Sequence, residues 1–197
     1  MKVKQHTIKK QVELSGVGLH TGVVSNMAFL PAPPNHGIKF QRVDLEGRPT
    51  VDADCDLVVD VSRGTTLEQN GARIYTVEHV LAALVGLEID NVLIQLDGPE
   101  PPIMDGSSIQ FIEVLEDAGL EEQNALRRFF EVQESIQYKD SSREVEMVAL
   151  PTDNYRVTVM VDYNSPVLGS QHASITDISQ FKPEIASCRT FCFLHEL

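Results

Sequence analysis

Residues 76–87 constrain this chain more than any other stretch. Val77, Val80, Leu81, Leu84 and Val85 recur there at i, i+3, i+4, i+7 and i+8, the spacing that gathers side chains on one face of an α-helix. Thr76 is a residue type suited to capping the helix start, and Gly86 supplies a stop. Residues 90–97, with Asn91-Val92-Leu93-Ile94-Gln95-Leu96 at their centre, follow and read as a strand, closed by the rigid turn Gly98-Pro99-Glu100-Pro101-Pro102. The chain thus mixes α and β elements.

The preceding residues read as β with turns. Thr7-Ile8, Val12-Glu13-Leu14 and Val17-Gly18-Leu19 lie among Gly16, Gly18 and Gly22, a strand–turn–strand pattern. Residues 23–30 form a further strand, stopped by Pro31-Ala32-Pro33-Pro34 because proline cannot feed a central ladder. Residues 37–42 and 72–75 are short strands by their β-branched and aromatic content. Between them, Asp52, Asp54, Asp56 and Asp60 alternate with apolar residues, without the glycine and closing glutamate of a calcium loop. That stretch is expected to be an exposed strand or turn edge. A second helix is expected over 108–118, with Ile109, Phe111, Ile112 and Leu115 inward and Gly119 as its C-cap.

Glu121-Glu122-Gln123-Asn124 is polar and reads as helix-ending, which sets a domain boundary: 1–123, then 124–197. Runs 129–138, 144–150 and 155–163 after it are β-rich. Within the last, Arg156-Val157-Thr158-Val159-Met160-Val161-Asp162 alternates at period two, which predicts one buried and one wet face. Strand 92–96 with Asp97-Gly98-Pro99 and strand 157–161 with Asn164-Ser165-Pro166 share a shape, a hint of internal duplication. The last residues, Phe191-Cys192-Phe193-Leu194-His195-Glu196-Leu197, break off in mid-pattern, so the chain is expected to be incomplete.

Composition narrows the function classes. A net charge of −13 on 197 residues repels phosphate backbones and disfavours a nucleic-acid binder. Cys55, Cys188 and Cys192 are an odd set without CxxC spacing, expected to be buried thiols of a reducing compartment. The start has no apolar signal segment, and no stretch approaches the ~18 apolar residues of a membrane span. A cytoplasmic location is expected.

Of the six histidines, His79 stands in a constellation, Glu78-His79 in the first turn of the expected helix. On a helical wheel it falls roughly 200° from Val77, away from the apolar face. It is therefore either a surface residue or part of a wall that something else covers. The helix dipole favours an anionic Glu78 and a neutral imidazole there, and neutral imidazole is the metal-binding form. Neither HExxH nor HxxEH is present, and one histidine does not make a zinc site. His20 reads as a turn residue or a site residue. Asp105, before Gly106, reads as a turn or N-cap residue or as a substrate contact. Cys192 and Phe193 are expected to pack.

Five segments in order carry a resemblance: Gly16-Val17-Gly18-Leu19-His20-Thr21-Gly22, Thr76-Val77-Glu78-His79-Val80-Leu81-Ala82-Ala83-Leu84, Ile89-Asp90-Asn91-Val92, Pro102-Ile103-Met104-Asp105-Gly106-Ser107 and Ser187-Cys188-Arg189-Thr190-Phe191. They resemble the UDP-3-O-acyl-N-acetylglucosamine deacetylases, zinc enzymes of lipid A biosynthesis in Gram-negative bacteria, across essentially the whole chain. The resemblance implies an α+β fold of two similar layered α/β-sandwich domains (ribosomal protein S5 domain 2-like), the second incomplete here, with the active site between them. It implies release of acetate from the UDP-sugar, the committed step of lipid A biosynthesis. By position, His79 matches a zinc ligand and Glu78 the general base. Thr190 matches a hydroxyl that holds the oxyanion and contacts substrate. Phe191 matches a wall at the nucleotide sugar, and Leu19, Thr65 and Leu67 match the substrate groove.

One departure qualifies this. The family's later His-Lys-x-x-x-Asp segment and its auxiliary acid histidine are absent, and His172-Ala173-Ser174-Ile175-Thr176-Asp177 has the wrong spacing to replace them. The remaining zinc ligands are thus expected beyond Leu197, and the chain by itself is expected to be inactive. In some bacteria this family is fused to a hydroxyacyl-carrier-protein dehydratase. The alternative from another class is a non-catalytic α+β module that keeps the fold without the metal site.

Overall fold

The computed structural model of the chain describes residues 3–192. They form two compact units: residues up to Arg127 together with those from Lys182 onward, and Arg128–Phe181. Of the described residues, those from Lys182 onward thus belong with the first unit.

The first unit is α+β. In chain order it contains β1 (Lys4–Ile8), β2 (Val12–Val17), β3 (Val24–Pro31), β4 (Ile38–Arg42), β5 (Thr50–Asp52), β6 (Val58–Asp60), β7 (Thr66–Gln69), β8 (Ala72–Ile74), α1 (Glu78–Gly86), β9 (Val92–Leu96), α2 (Ile109–Ala118) and β10 (Leu120–Leu126). The main sheet has the order β2-β3-β9-β4-β5. β9 runs antiparallel to β3 and parallel to β4, which puts the most apolar strand of the sequence in the middle. Val92, Ile94 and Leu96 of β9, Met27 and Phe29 of β3 and Phe40 of β4 are buried, as are Val80 and Leu84 of α1 and Phe111, Ile112 and Leu115 of α2. β6, β7 and β8 form a second sheet, and β1 pairs with β10.

Three local expectations change. Thr76 does not cap α1: Val77 occupies that position, without a side-chain cap. The buried stripe of α1 is Val77, Val80, Ala83 and Leu84, while Val85 is exposed and Leu81 half-buried. The stripe is rotated toward the small Ala83 because α1 packs against α2. His79 consequently borders the buried face and is half-buried, where the wheel put it opposite. Glu121-Glu122-Gln123-Asn124 is strand β10, not a helix end, because Gln123 is buried and bonds to the core. Its Nε2 donates to the Ala32 carbonyl at 2.7 Å, and its Oε1 accepts from Asn91 Nδ2 at 2.6 Å.

The second unit contains two antiparallel hairpins, β11 (Ile136–Asp140) with β12 (Val145–Ala149) and β13 (Val157–Asp162) with β14 (Ser170–Ile175). The buried face expected for β13 is not found: Met160 is 76% exposed and Val159 50%. β13 pairs with β14 in a two-stranded sheet, and a two-stranded ribbon has no interior. β9, by contrast, sits inside a five-stranded sheet, so the similar shapes of 92–96 and 157–161 do not lead to similar surroundings. Cys55, Cys188 and Cys192 are free and exposed, against the expectation of buried thiols: Cys55 begins a short 3-10 helix with no buried residue, and Cys188 and Cys192 lie in irregular backbone. Phe193 lies outside the described residues. No helix among the described residues is long and apolar enough to cross a membrane.

Candidate active site

The start of α1 is built by residues from several distant segments. The N–H of Tyr75 donates to the Pro99 carbonyl at 2.9 Å, and that of Val77 to the Thr65 carbonyl at 3.2 Å. Between them Thr76 adopts φ +53°, a left-handed conformation that is a genuine outlier for a β-branched residue. Its hydroxyl donates to Glu100 Oε1 at 2.7 Å. Glu78, the first helical residue, has its carboxylate at the positive end of the helix. Its Oε2 accepts the Thr65 N–H at 2.9 Å. Gly64 lies against the same carboxylate, and a Cβ there would stand 3.2 Å from Glu78 Oε1. His79 follows, and its carbonyl accepts from the Ser108 hydroxyl at 3.0 Å.

Ser108 also ties in the end of the chain. Its N–H donates to the Ala186 carbonyl at 3.0 Å, and the Thr190 N–H donates to the Gly106 carbonyl at 2.9 Å. Arg189 faces Asp105 at 3.2 Å. Residues 186–190 therefore run along 105–108, and Ser108 joins both to the first turn of α1. Asp105 is a turn residue here: its Oδ1 accepts from the Ser107 N–H at 3.1 Å and hydroxyl at 2.7 Å. Those Ser107 bonds, chiefly the hydroxyl, hold the Asp105 carboxyl below its usual range against partial burial, and Arg189 adds to the effect. It does not cap α2, whose N-cap is Ser108.

A third segment enters from the glycine-rich turn between β2 and β3. Leu19 is exposed on it. His20 Nε2 donates to the Arg63 carbonyl at 2.7 Å, which fastens this turn to the loop holding Glu78. Glu100 takes the other side. One face of its carboxylate receives the His20 N–H at 3.1 Å, the Thr21 N–H at 2.9 Å and the Thr21 hydroxyl at 2.8 Å.

The structure thus brings Glu78, His79 and Thr65 together directly. It links Leu19 to them through its turn, and Thr190 and Phe191 through the 105–108 loop. Leu67 does not join them. It is 2% exposed, on β7 between β6 and β8.

A family model described as LpxC: UDP-3-O-acyl N-acetylglycosamine deacetylase matches residues 5–197. The chain belongs to the LpxC family. It is 46% identical over 195 residues to a bifunctional enzyme LpxC/FabZ of Bacteroides thetaiotaomicron, covering 99% of this chain and 42% of that protein. It is 47% identical over 198 residues to a bifunctional enzyme LpxC/FabZ of Chlorobaculum tepidum, with 100% and 42% covered. A UDP-3-O-acyl-N-acetylglucosamine deacetylase of Methylococcus capsulatus is 41% identical over 198 residues, with 99% of this chain and 64% of that protein covered. The chain spans about two fifths of the length of the bifunctional relatives and just under two thirds of the deacetylase.

For this LpxC chain the metal question is one of ligand count. Catalytic zinc takes about three protein ligands. Near the start of α1 the described residues offer the His79 imidazole beside Glu78, so they do not complete a zinc site. His172, the nearest sequence substitute, lies in β14. A separate grouping, Asp54, Cys55 and Asp56, has ligand atoms within 4.8 Å of one another but is exposed at the start of the short 3-10 helix before β6. Two residues of the site escaped sequence reading. Ser108 looks like a plain helix-start serine, and Glu100 like a charged residue on a proline-rich surface turn. The prolines around Glu100 are a signal of rigidity but say nothing of its burial.

Proposed function

We propose that this chain carries one wall of a UDP-3-O-acyl-N-acetylglucosamine deacetylase centre, acting on a nucleotide-sugar lipid in the cytoplasm and releasing acetate for lipid A biosynthesis. The observation that carries the reading is the convergence on α1. Glu78 and His79 begin the helix, and Ser108 fastens to that same turn the segment bearing Thr190 and Phe191. Membership of the LpxC family and the similarity to the Methylococcus capsulatus deacetylase support it.

In this reading Glu78 is the general base that takes a proton from the water attacking the acetamide carbonyl. The Thr65 N–H fixes one carboxylate oxygen and leaves the other for that water. Thr190 donates its hydroxyl to the oxygen that becomes anionic, Phe191 contacts the nucleotide sugar, and Leu19 with Thr65 edges the groove. Zinc is the proposed metal, with His79 one of its ligands and the others outside the described residues. The pairing of two similar S5-like layered domains, divided near residue 123, belongs to the same proposal. So does a fusion to a hydroxyacyl-carrier-protein dehydratase, which the LpxC/FabZ relatives support.

The test is acetate release from UDP-3-O-acyl-N-acetylglucosamine by the full-length protein. Glu78→Ala is expected to lose at least ~100-fold in kcat, the usual scale for a missing general base. Unchanged turnover in a folded Glu78→Ala protein overturns the assignment.

A further inference from the structure

We propose that Glu100 is a positioning residue, a buried carboxylate that locks the Leu19-bearing turn to the backbone leading into Glu78 and His79. The proposal rests on the reading of Glu78 as the base of this site. Glu100 is 1% exposed, and an anion so enclosed persists only where donors replace its lost water. Among the described residues no cation pairs with it. Its donors are the His20 and Thr21 N–H groups, the Thr21 hydroxyl and the Thr76 hydroxyl. Burial alone pushes the carboxyl up, but the bonds from Thr76, Thr21 and His20 together outweigh it and hold the group below the usual carboxylate range.

The donors divide between two segments far apart in sequence, 20–21 and 76. They belong to a closed circuit. His20 bonds to Arg63, the N–H of Thr65 bonds to Glu78, Thr76 precedes Glu78 by two residues, and Thr76 bonds to Glu100, which returns to His20. The strained φ of Thr76 is of the kind that persists when its surroundings over-determine it and that clusters at functional sites. The Glu100 bond to its hydroxyl is the visible restraint. Packing leaves the arrangement little freedom, since a Cβ at Gly18 would stand 2.5 Å from Glu100 Oε2. A hydrophobic residue at 100 would fill the space but hold neither segment in register.

The test compares Glu100→Gln, Thr76→Val and Thr76→Ser in the full-length protein, by steady-state kinetics and by hydrogen exchange of backbone amides. Glu100→Gln and Thr76→Val are each expected to lower kcat ~10–100-fold, the scale of a sub-ångström to 1 Å displacement of a catalytic group, with KM changed less than about threefold. Thr76→Ser, which keeps the hydroxyl, restores the rate. Combining Glu100→Gln with Thr76→Val costs little beyond either alone, because both break one linkage. In Glu100→Gln the amides of His20, Thr21 and Thr65 exchange at least ~10-fold faster, with core amides of β9 unchanged. Unchanged protection at Thr21 and Thr65, an effect confined to KM, or equal damage from Thr76→Ser and Thr76→Val overturns the proposal. Glu78→Ala in the same assay separates the two readings: if it retains full activity, the base assignment fails, while the exchange data still decide the Glu100 linkage. Thr76→Val serves as the milder probe if Glu100→Gln fails to fold.

Discussion

Replacing Gly18 by alanine tests the buried Glu100 arrangement through sterics alone. Gly18 is buried, and its Cβ would stand 2.5 Å from Glu100 Oε2, 2.6 Å from Thr21 Oγ1 and 3.0 Å from Glu100 Cδ. Non-bonded heavy atoms settle near 3.5–4.0 Å, so the carboxylate must retreat by ~1 Å. The far end of a glutamate usually swings away at little cost. Here it is enclosed and held from two sides, so a retreat stretches its bonds to the Thr21 N–H and hydroxyl, now 2.9 and 2.8 Å, beyond bonding distance. Hydrogen bonds to a charged group contribute ~1.5–3 kcal/mol each, and partial relaxation leaves an expected loss of about 3 kcal/mol for the pair. At ~2–4 °C per kcal/mol for a chain of this size, Tm falls by roughly 6–12 °C. Gly22→Ala is the internal control. Gly22 has φ +65° and nothing within 4 Å of a Cβ, so alanine there meets only the left-handed backbone penalty of ~1–2 kcal/mol. The assay is urea unfolding followed by far-UV circular dichroism, since the chain has no tryptophan. If Gly18→Ala costs less than Gly22→Ala, or less than ~1 kcal/mol, the carboxylate is not held as described and the reasoning is refuted.

Two further outcomes are expected. Gln123→Leu strands the Ala32 carbonyl and leaves the buried Asn91 Nδ2 with its bond to Gln5 alone, a loss of ~2 kcal/mol in the same urea assay, and a change within ~0.5 kcal/mol would show that the polar network is dispensable. Titrated with zinc, the 197-residue chain is expected to bind in the ~1 mM range, because a single imidazole beside Glu78 is far from a full ligand set. His79→Ala removes that signal, and a Cys55→Ser variant subtracts any contribution from the exposed Asp54–Asp56 turn. Stoichiometric submicromolar binding that depends on His79 would mean that the ligand set is completed within this chain.

Much of the fold was legible in the sequence where one local period dominates. Helix α1, strand β9 and helix α2 fall within a residue or two of the runs 76–87, 90–97 and 108–118, because burial on one face imposes a repeat that a single segment displays. The same logic misled where burial is decided by neighbours. Residues 156–162 alternate cleanly, yet β13 is exposed on both faces, since an alternating pattern declares a preference and only a third element supplies the cover. Residues 121–124 look like a surface break, yet they form β10, since the partners of Gln123 lie at Asn91 and Ala32.

For the candidate site the division is similar. The pairing Glu78-His79 at a helix start, and the motifs around Leu19, Asp105 and Thr190, were readable from residue order, and they carried the resemblance that the LpxC family match later established. The resemblance matches Leu67 to the substrate groove, and its burial on β7 is not legible in residue order. Glu100 and Ser108 were invisible as site residues. The local sequence sets what a side chain can donate or accept, but a hydrogen bond between residues 24 or 80 positions apart, such as Thr76 or His20 to Glu100, exists only once the chain has folded and excluded the water that would otherwise take its place.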